Sequence, residues 1–430
     1  MSTNVLLLGS GGREHAIAWK LAQSPDLGAL TSAPGNAGTA QYGENLDALD
    51  IDNPQAVVEA AASVRADLVV IGPEAPLARG VADALTAEGV PVFGPSMSAA
   101  EIEWSKAFAK ELMAEAGIAT GRAAMFEDFD MAVAFAHSRG GSCVVKADGL
   151  AAGKGVVVCD TTDEAIAAIE ASMMDRAFGD AGARVLIEER LHGPETSAHA
   201  FTDGTTVAHM PFSCDHKPVF DGDEGPNTGG MGVYSPPGWL TDDDASRIER
   251  EVTERAVAAL AASGREYRGA LYPGMMLTSS GPKVIEFNCR LGDPEAEALL
   301  PRLTSDLLAI CDGVAHGRLA EVPVEWDDDA TVGVVMASGG YPGSYETGQP
   351  ITGVEDVDED VQVFLAGARL DADGTLQTAG GRVLCVVAKA PTLGEARERA
   401  YDNVRRIDFE GAHYRTDIAA PARVASGQGL

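Results

Sequence analysis

The sequence predicts a multidomain α/β and α+β chain: an N-terminal doubly wound parallel sheet, a central domain built around a Gly/Lys loop, and a small C-terminal α+β domain. Three observations predict it. Apolar strands alternate with amphipathic segments over about the first hundred residues, two strands flank the Gly/Lys loop, and three strands with one capped helix close the chain. At 430 residues the chain is too long for one ordinary core, and 45% apolar residues suffice to bury several. The expected divisions are 1–102, 103–325 and 326–430.

The first strand, Val5 to Leu8, runs into GSGG and a helix carrying Ala16, Ile17, Trp19 and Leu21. A helix N-terminus after a glycine turn suits phosphate, because its free N–H groups face the anion. Gly9 and Gly11 match the dinucleotide fingerprint, but its third glycine position holds Glu14 and no acid stands near the end of the next strand, so NAD is not expected. A small phosphorylated substrate at Gly11, Gly12 and Arg13 survives that test. PGNAGTA (Pro34 to Ala40) reads as a turn, ADLVVIGPEAPLARG and VPVFGPS as buried parallel strands, and Val57 to Arg65 and Gly80 to Glu88 as helices. Ligands of such sheets collect beyond the C-terminal strand ends, where Gly9, Pro34 to Thr39 and Gly72 to Glu74 fall.

Ala99 to Ala116 reads as one helix with Ile102, Phe108, Leu112 and Met113 on a face, Lys106 near its start and Gly117 as its stop. VVKADGLAAGKGVVV (Val144 to Val158) then sets Gly149, Gly153, Gly155, Lys146 and Lys154 between two strands. Glycines admit backbone N–H groups to an anion and lysines add charge. Taken alone, the pattern equally describes a Gly-rich hairpin with solvated lysines. Thr161 and Glu164 form a capping box for a helix to Met174. Arg184 to Leu191 is a strand ending in acids. It places Glu188, Glu189 and the backbone to Leu191 against an adenine, with Glu195 on ribose hydroxyls; a solvated acidic edge reads as well.

Asp215 to Pro236 is too long and glycine-rich for a connector, and is expected to be a functional or a flexible loop. Thr241 caps a helix that Gly264 ends, and Gly269 to Leu277 is a strand. In the next strand, KVIEFNCRLGDPE, alternation puts Glu286 and Asn288 on one face, with Arg290 if the strand continues. A carboxylate and an amide oxygen form a hard-oxygen pair for Mg²⁺ or Mn²⁺, completed by nucleotide phosphates. Lysine loop and metal strand together suggest a Mg-nucleotide enzyme. Ser305 to His316 is a helix. Thr331 to Ala337, Gln362 to Ala366 and Arg382 to Ala388 are strands, and Thr392 to Ile407 is a helix with Glu395 in its capping box.

Formal charge is −33, from 65 acids against 32 bases, eight of them lysine. A field of that sign repels nucleic acid and anionic membrane, so neither is expected as a partner, and basic groups must converge locally for an anionic ligand. Excess acid with little lysine also fits a protein adapted to high salt. No run of about 18 apolar residues occurs, and the N-terminus enters a strand without a basic leader, so a soluble cytoplasmic protein is expected, as a monomer or small homo-oligomer. Six cysteines without a C-x-x-C pair indicate neither zinc ribbon nor disulfide framework, and Cys289 is expected to pack.

PGNAGTA, GPEAPLARG, SKAFAK, KADGLAAGKGV, GPNTGGMGVYSP, KVIEFNCRLGDPE, MASGGYPGSYETG and GRVLCV, in that order from Val5 to about Ile418, resemble the phosphoribosylamine–glycine ligases, ATP-grasp enzymes of purine synthesis. The resemblance implies a central ATP-grasp domain with a lid over about 120–192, and ligation of glycine to 5-phosphoribosylamine with ATP through glycyl phosphate. It implies Lys106, Lys146 and the Gly149 to Gly155 loop on ATP phosphates, Glu188 to Leu191 at adenine, Glu195 on ribose, and Glu286 and Asn288 on the metal. Gly11 to Arg13, Asn36, Gly38, Thr39, Pro73 and Glu74 fall on the sugar-phosphate side. Lys146, Asp215, Arg290 and Asp293 fall where glycine meets the γ-phosphate. One departure stands: Met275 and Met276 occupy the strand LYPGMML where many ATP-grasp relatives carry a second metal carboxylate, which leaves the coordination of a second ion open.

Overall fold

The computed structural model describes residues 2–149, 155–177 and 179–421. The N-terminal sheet is wholly parallel, in the order 44–45, 27–34, 3–9, 68–71 and 92–93. Its central strand, Thr3–Gly9, buries Val5 to Leu8 completely, as a strand covered by helices on both faces must. Helices Gly12–Leu21, Pro54–Ser63 and Val81–Ala87 follow the expected pattern, and Asn53 caps the second through the Gln55 and Ala56 amides. The chain turns back between strands 3–9 and 68–71, so the loops after Gly9 and Ile71 open toward one cleft.

Residues 123–189 form a four-stranded antiparallel sheet in the order 123–126, 185–189, 143–147 and 156–159. Helices Phe129–Ser138 and Thr162–Met173 supply its core with Ala132, Ala136 and Ile169 against Val145, Val185 and Ile187, and the Thr161–Glu164 capping box is present. The single helix expected over Ala99 to Ala116 is instead two, Met97–Trp104 and Lys106–Ala116. Ser105 takes extended backbone (φ −101°, ψ 102°) and its hydroxyl accepts from the Phe108 amide. Lys106 thereby becomes the first residue of a helix.

The strand expected to carry the metal ligands, Gly281–Asn288, pairs antiparallel with Gly269–Thr278, which on its other edge holds Glu195–Ser197 and Ala200–Thr202. The register shifts between Gly274 and Met275, so that Glu286 faces Gly274, Val284 faces Met275, and Ile285 is an extra bulged residue. A fourth sheet, the C-terminal one, runs 214–215, 232–235, 330–337, 382–390 and 362–365, backed by helix Leu393–Val404. Its first two strands come from the stretch expected to be a loop. That stretch is a folded hairpin, 218–220 with 224–227, between two strands, so the C-terminal sheet draws on residues well before 326. All six cysteines are free and buried. Among the described residues no helix is long and apolar enough to cross a membrane.

Candidate active site

A cleft of about 940 Å³ lies where these four sheets meet. On its lysine side, the Lys146 ammonium sits 2.6 Å from Glu188 Oε2 and donates to the Ile285 carbonyl at 2.8 Å. The bulge thus joins the lysine hairpin to the metal strand. Glu188, 3% exposed, also pairs with Lys110. Its side chain is enclosed by these two lysines, while the residue itself lines the cleft. Asp148 Oδ1 accepts from the amides of Lys106 at 2.7 Å and Ala107 at 3.3 Å, fixing the start of that helix, and Lys106 Nζ donates to the Gly149 carbonyl. Burial and the nearby Lys146 ammonium both lower the Lys106 pKa. Gly149 and Gly155 line the cleft; Gly153 and Lys154 lie outside the described residues.

At the mouth, Glu189 pairs with Lys283 at 3.0 Å and Arg122 at 3.2 Å; desolvation opposes its charge, but these partners hold it down at about 2. Leu191, Pro194 and Met276 line the wall beyond it. Deeper in, Glu286 and Asn288 both face the cleft, and the Asn288 amide nitrogen donates to the Tyr272 carbonyl at 3.4 Å, which keeps its oxygen for another ligand. Lys217, which the sequence reading passed over, stands 3.2 Å from Glu286 and 3.9 Å from Glu195. Its ammonium, with burial opposing, holds Glu286 at about 2. Burial raises Glu195 and lifts Asp215 to about 6, with Lys217 opposing in both cases.

On the third side, Arg290 lies 3.4 Å from Glu74 and 3.6 Å from Glu103. Burial pushes Glu103 up to about 7, against the pull of Arg290. Glu74 stays low because Arg290 and Arg13 outweigh its burial. Pro73 lines the same wall. Asp293 pairs at 3.0 Å with Arg382, whose guanidinium also donates to the carbonyls of Gly229 and Asp293. Glu295 accepts from the Tyr272 hydroxyl at 2.6 Å.

Two groups of expected substrate ligands are not free. The amides of Gly11 and Arg13 donate to the carboxylates of Glu14 (2.6 Å) and Asp293 (3.4 Å), and the Arg13 side chain is held by Glu14 and the Leu291 carbonyl. Anions already stand at that helix end, and a Cβ on Gly12 would lie 2.4 Å from Glu297. Asn36, Gly38 and Thr39 do not line the cleft. Asn36 Oδ1 accepts from the Gly38 and Thr39 amides, its nitrogen donates to the carbonyls of Ser10, Gly11 and Leu365, and a Cβ on Gly38 would lie 2.0 Å from His15. The turn closes on itself and on the C-terminal sheet.

Lys110, Lys217, Glu103 and Arg382 carried no spacing signal. Lys217 was the most accessible to sequence reasoning, standing beside Asp215 as one of only eight lysines.

The family models for phosphoribosylglycinamide synthetase match most of the chain: its N domain over residues 3–103, its ATP-grasp (A) domain over 104–296 and its C domain over 331–421. The phosphoribosylamine–glycine ligase of Rhodopirellula baltica is 47% identical over 432 residues, covering 98% of both chains. That of Allochromatium vinosum is 48% identical over 417 residues, 96% of this chain and 97% of its own. The crystal structure of phosphoribosylamine–glycine ligase from Thermotoga maritima superposes with a TM-score of 0.84 at 35% identity, over 96% of this chain and 100% of that one. The biotin carboxylase domain of the Hydrogenobacter thermophilus 2-oxoglutarate carboxylase, at 16% identity and a TM-score of 0.77, covers 100% of this chain and 96% of its own and shares the fold.

Proposed function

The chain belongs to the phosphoribosylamine–glycine ligase family, and from that premise we propose how its cleft performs ATP-dependent ligation of glycine to 5-phosphoribosylamine in purine biosynthesis. The observation that carries the reading is the meeting of Lys146 with the metal strand through the Ile285 carbonyl. Among the described residues no three His, Cys, Asp or Glu side chains gather as a metal cage. Glu286 and Asn288, which both face the cleft, suit an ion that takes one or two protein oxygens and the rest from phosphates, as Mg²⁺ or Mn²⁺ does. The ion, when bound, supplies charge neutralisation to the phosphates.

A glycine carboxylate approaching the γ-phosphoryl brings two anions together. Lys106, Lys146 and Arg290 offset that repulsion from three sides, and preorganised charge in a closed cleft is worth more than in water. A carboxylate oxygen attacks phosphorus and ADP leaves, giving glycyl phosphate. The sheet of residues 123–189 acts as the lid that keeps water from this intermediate. The amine of phosphoribosylamine then attacks the acyl carbon, phosphate departs, and the amine gives up a proton. Asp215, lifted to about 6, accepts it better than Glu74, whose pKa lies below the usual carboxylate range. Glu189, Leu191 and Glu195 face the adenosine, and Pro73, Glu74, Arg290 and Asp293 the glycine and sugar phosphate.

Phosphate release with each substrate omitted in turn tests the reading. Phosphate is expected only with ATP, glycine and phosphoribosylamine together. Release that continues when bicarbonate replaces glycine would refute it.

A further inference from the structure

Lys217 belongs to no motif that the proposed mechanism uses, yet it occupies the centre of the acidic side of the cleft. Its backbone is clamped: the Lys217 carbonyl accepts from both the amide (2.8 Å) and the hydroxyl (2.7 Å) of Thr228, and His216 on one side exchanges backbone bonds with Met231 and Gly232. The hairpin thus delivers the ammonium to one place, 3.2 Å from Glu286 and 3.9 Å from Glu195. Asp215, two positions back, adds a third carboxylate to its surroundings. Without a cation among them these carboxylates would repel one another. A divalent ion arriving alone meets a Glu286 that already carries a counter-charge, and must displace that ammonium to reach it.

We propose that Lys217 is the resident counter-cation of Glu286, which excludes bare metal from the site and yields Glu286 only to metal bound to nucleotide, whose phosphates give the ammonium a new anionic partner. Lys217 thereby makes metal binding depend on nucleotide and keeps the carboxylates in register while the cleft is open. Arg290 cannot substitute, because its guanidinium is turned to Glu74 and Glu103. The inference rests on the reading of Glu286 as the metal carboxylate.

The test is Mn²⁺ binding to the full chain, followed by electron paramagnetic resonance or calorimetry, without nucleotide and with a non-hydrolysable ATP analogue. Lys217→Met, of similar length and no charge, is expected to bind Mn²⁺ alone about tenfold or more tighter than the wild type, with the gain on adding the analogue reduced. Lys217→Arg should keep nucleotide-free binding weak. A Lys217→Met protein with a native melting curve and unchanged or weaker Mn²⁺ affinity overturns the proposal, provided Glu286→Gln abolishes binding. If Glu286→Gln leaves Mn²⁺ binding intact, the assignment of the metal carboxylate is what fails, and the proposal falls with it. Tight Mn²⁺ binding to wild-type protein without nucleotide overturns it with no variant needed.

Discussion

The side-chain amide of Asn36 donates to the carbonyl of Leu365 at 2.9 Å across 329 positions of sequence, while Nδ1 of His15 accepts from the amide of the same Leu365 at 2.7 Å. Leu365 ends an edge strand, and both of its backbone groups are taken by side chains of the N-terminal unit. Asn36→Ala removes that bond and four others, so we expect a loss of stability on the order of 2 kcal/mol. The KM for phosphoribosylamine should stay as it is. A raised KM with an unchanged melting point would return Asn36 to the substrate site.

His15 ties the same junction to pH. Burial lowers it from 6.5 to about 4. The unfolded chain therefore binds the extra proton first as pH falls. The contribution, of about 3 kcal/mol, is complete above pH 6.5 and is lost between 6.5 and about 4. His15→Leu should be less stable at neutral pH and lose less on acidification than the wild type, by thermal melts at matched ionic strength. Parallel pH curves would rule out this linkage.

Glu188 and Lys146 separate contact from positioning. Lys146→Ala should raise the KM for ATP roughly tenfold or more with little change for glycine, since its partner is a phosphate. Glu188→Gln should move the same parameter less, because Lys146 keeps its bond to Ile285. Steady-state kinetics with ATP and glycine varied separately will decide, and equal effects on both substrates would contradict the assignment.

A base at Asp215 makes turnover fall as pH drops through about 6, the value to which burial lifts this carboxyl. Asp215→Asn is expected to lower kcat about a hundredfold and to remove that acid limb from the profile. A variant that keeps both kcat and the limb would exclude Asp215 as the proton acceptor.

The −33 charge bears on stability in salt. Screening lengths shrink from about 30 Å at 0.01 M to about 3 Å at 1 M, so the melting temperature should rise steeply over that range of potassium chloride. Sodium sulfate at matched ionic strength controls for salting-out. A flat response would mean that the acids are locally compensated.

The parallel sheet, the lysine hairpin and the metal strand were legible because each announces itself locally, through apolar runs, paired strands around glycines and alternation of two. The break at Ser105 was not, because apolar spacing continues in phase on both sides of it and a serine is unremarkable inside a helix. PGNAGTA reads two ways for a physical reason: a turn that closes on its own asparagine and one that cradles a ligand need the same small residues. Lys217 acquires its place only when residues 214–235 fold onto the C-terminal sheet, which no local pattern encodes. Arg382 reaches Asp293 from 89 positions away.

That last contact sets an order in time. Chains emerge from the ribosome N-terminus first and fold as they come. The lysine hairpin and the metal strand are thus complete while Arg382, which ties the Gly229 and Asp293 carbonyls and the Asp293 carboxylate together, is still being made. Until it is made, the Asp293 corner of the cleft lacks that tie, so this corner is the last part of the cleft to be built.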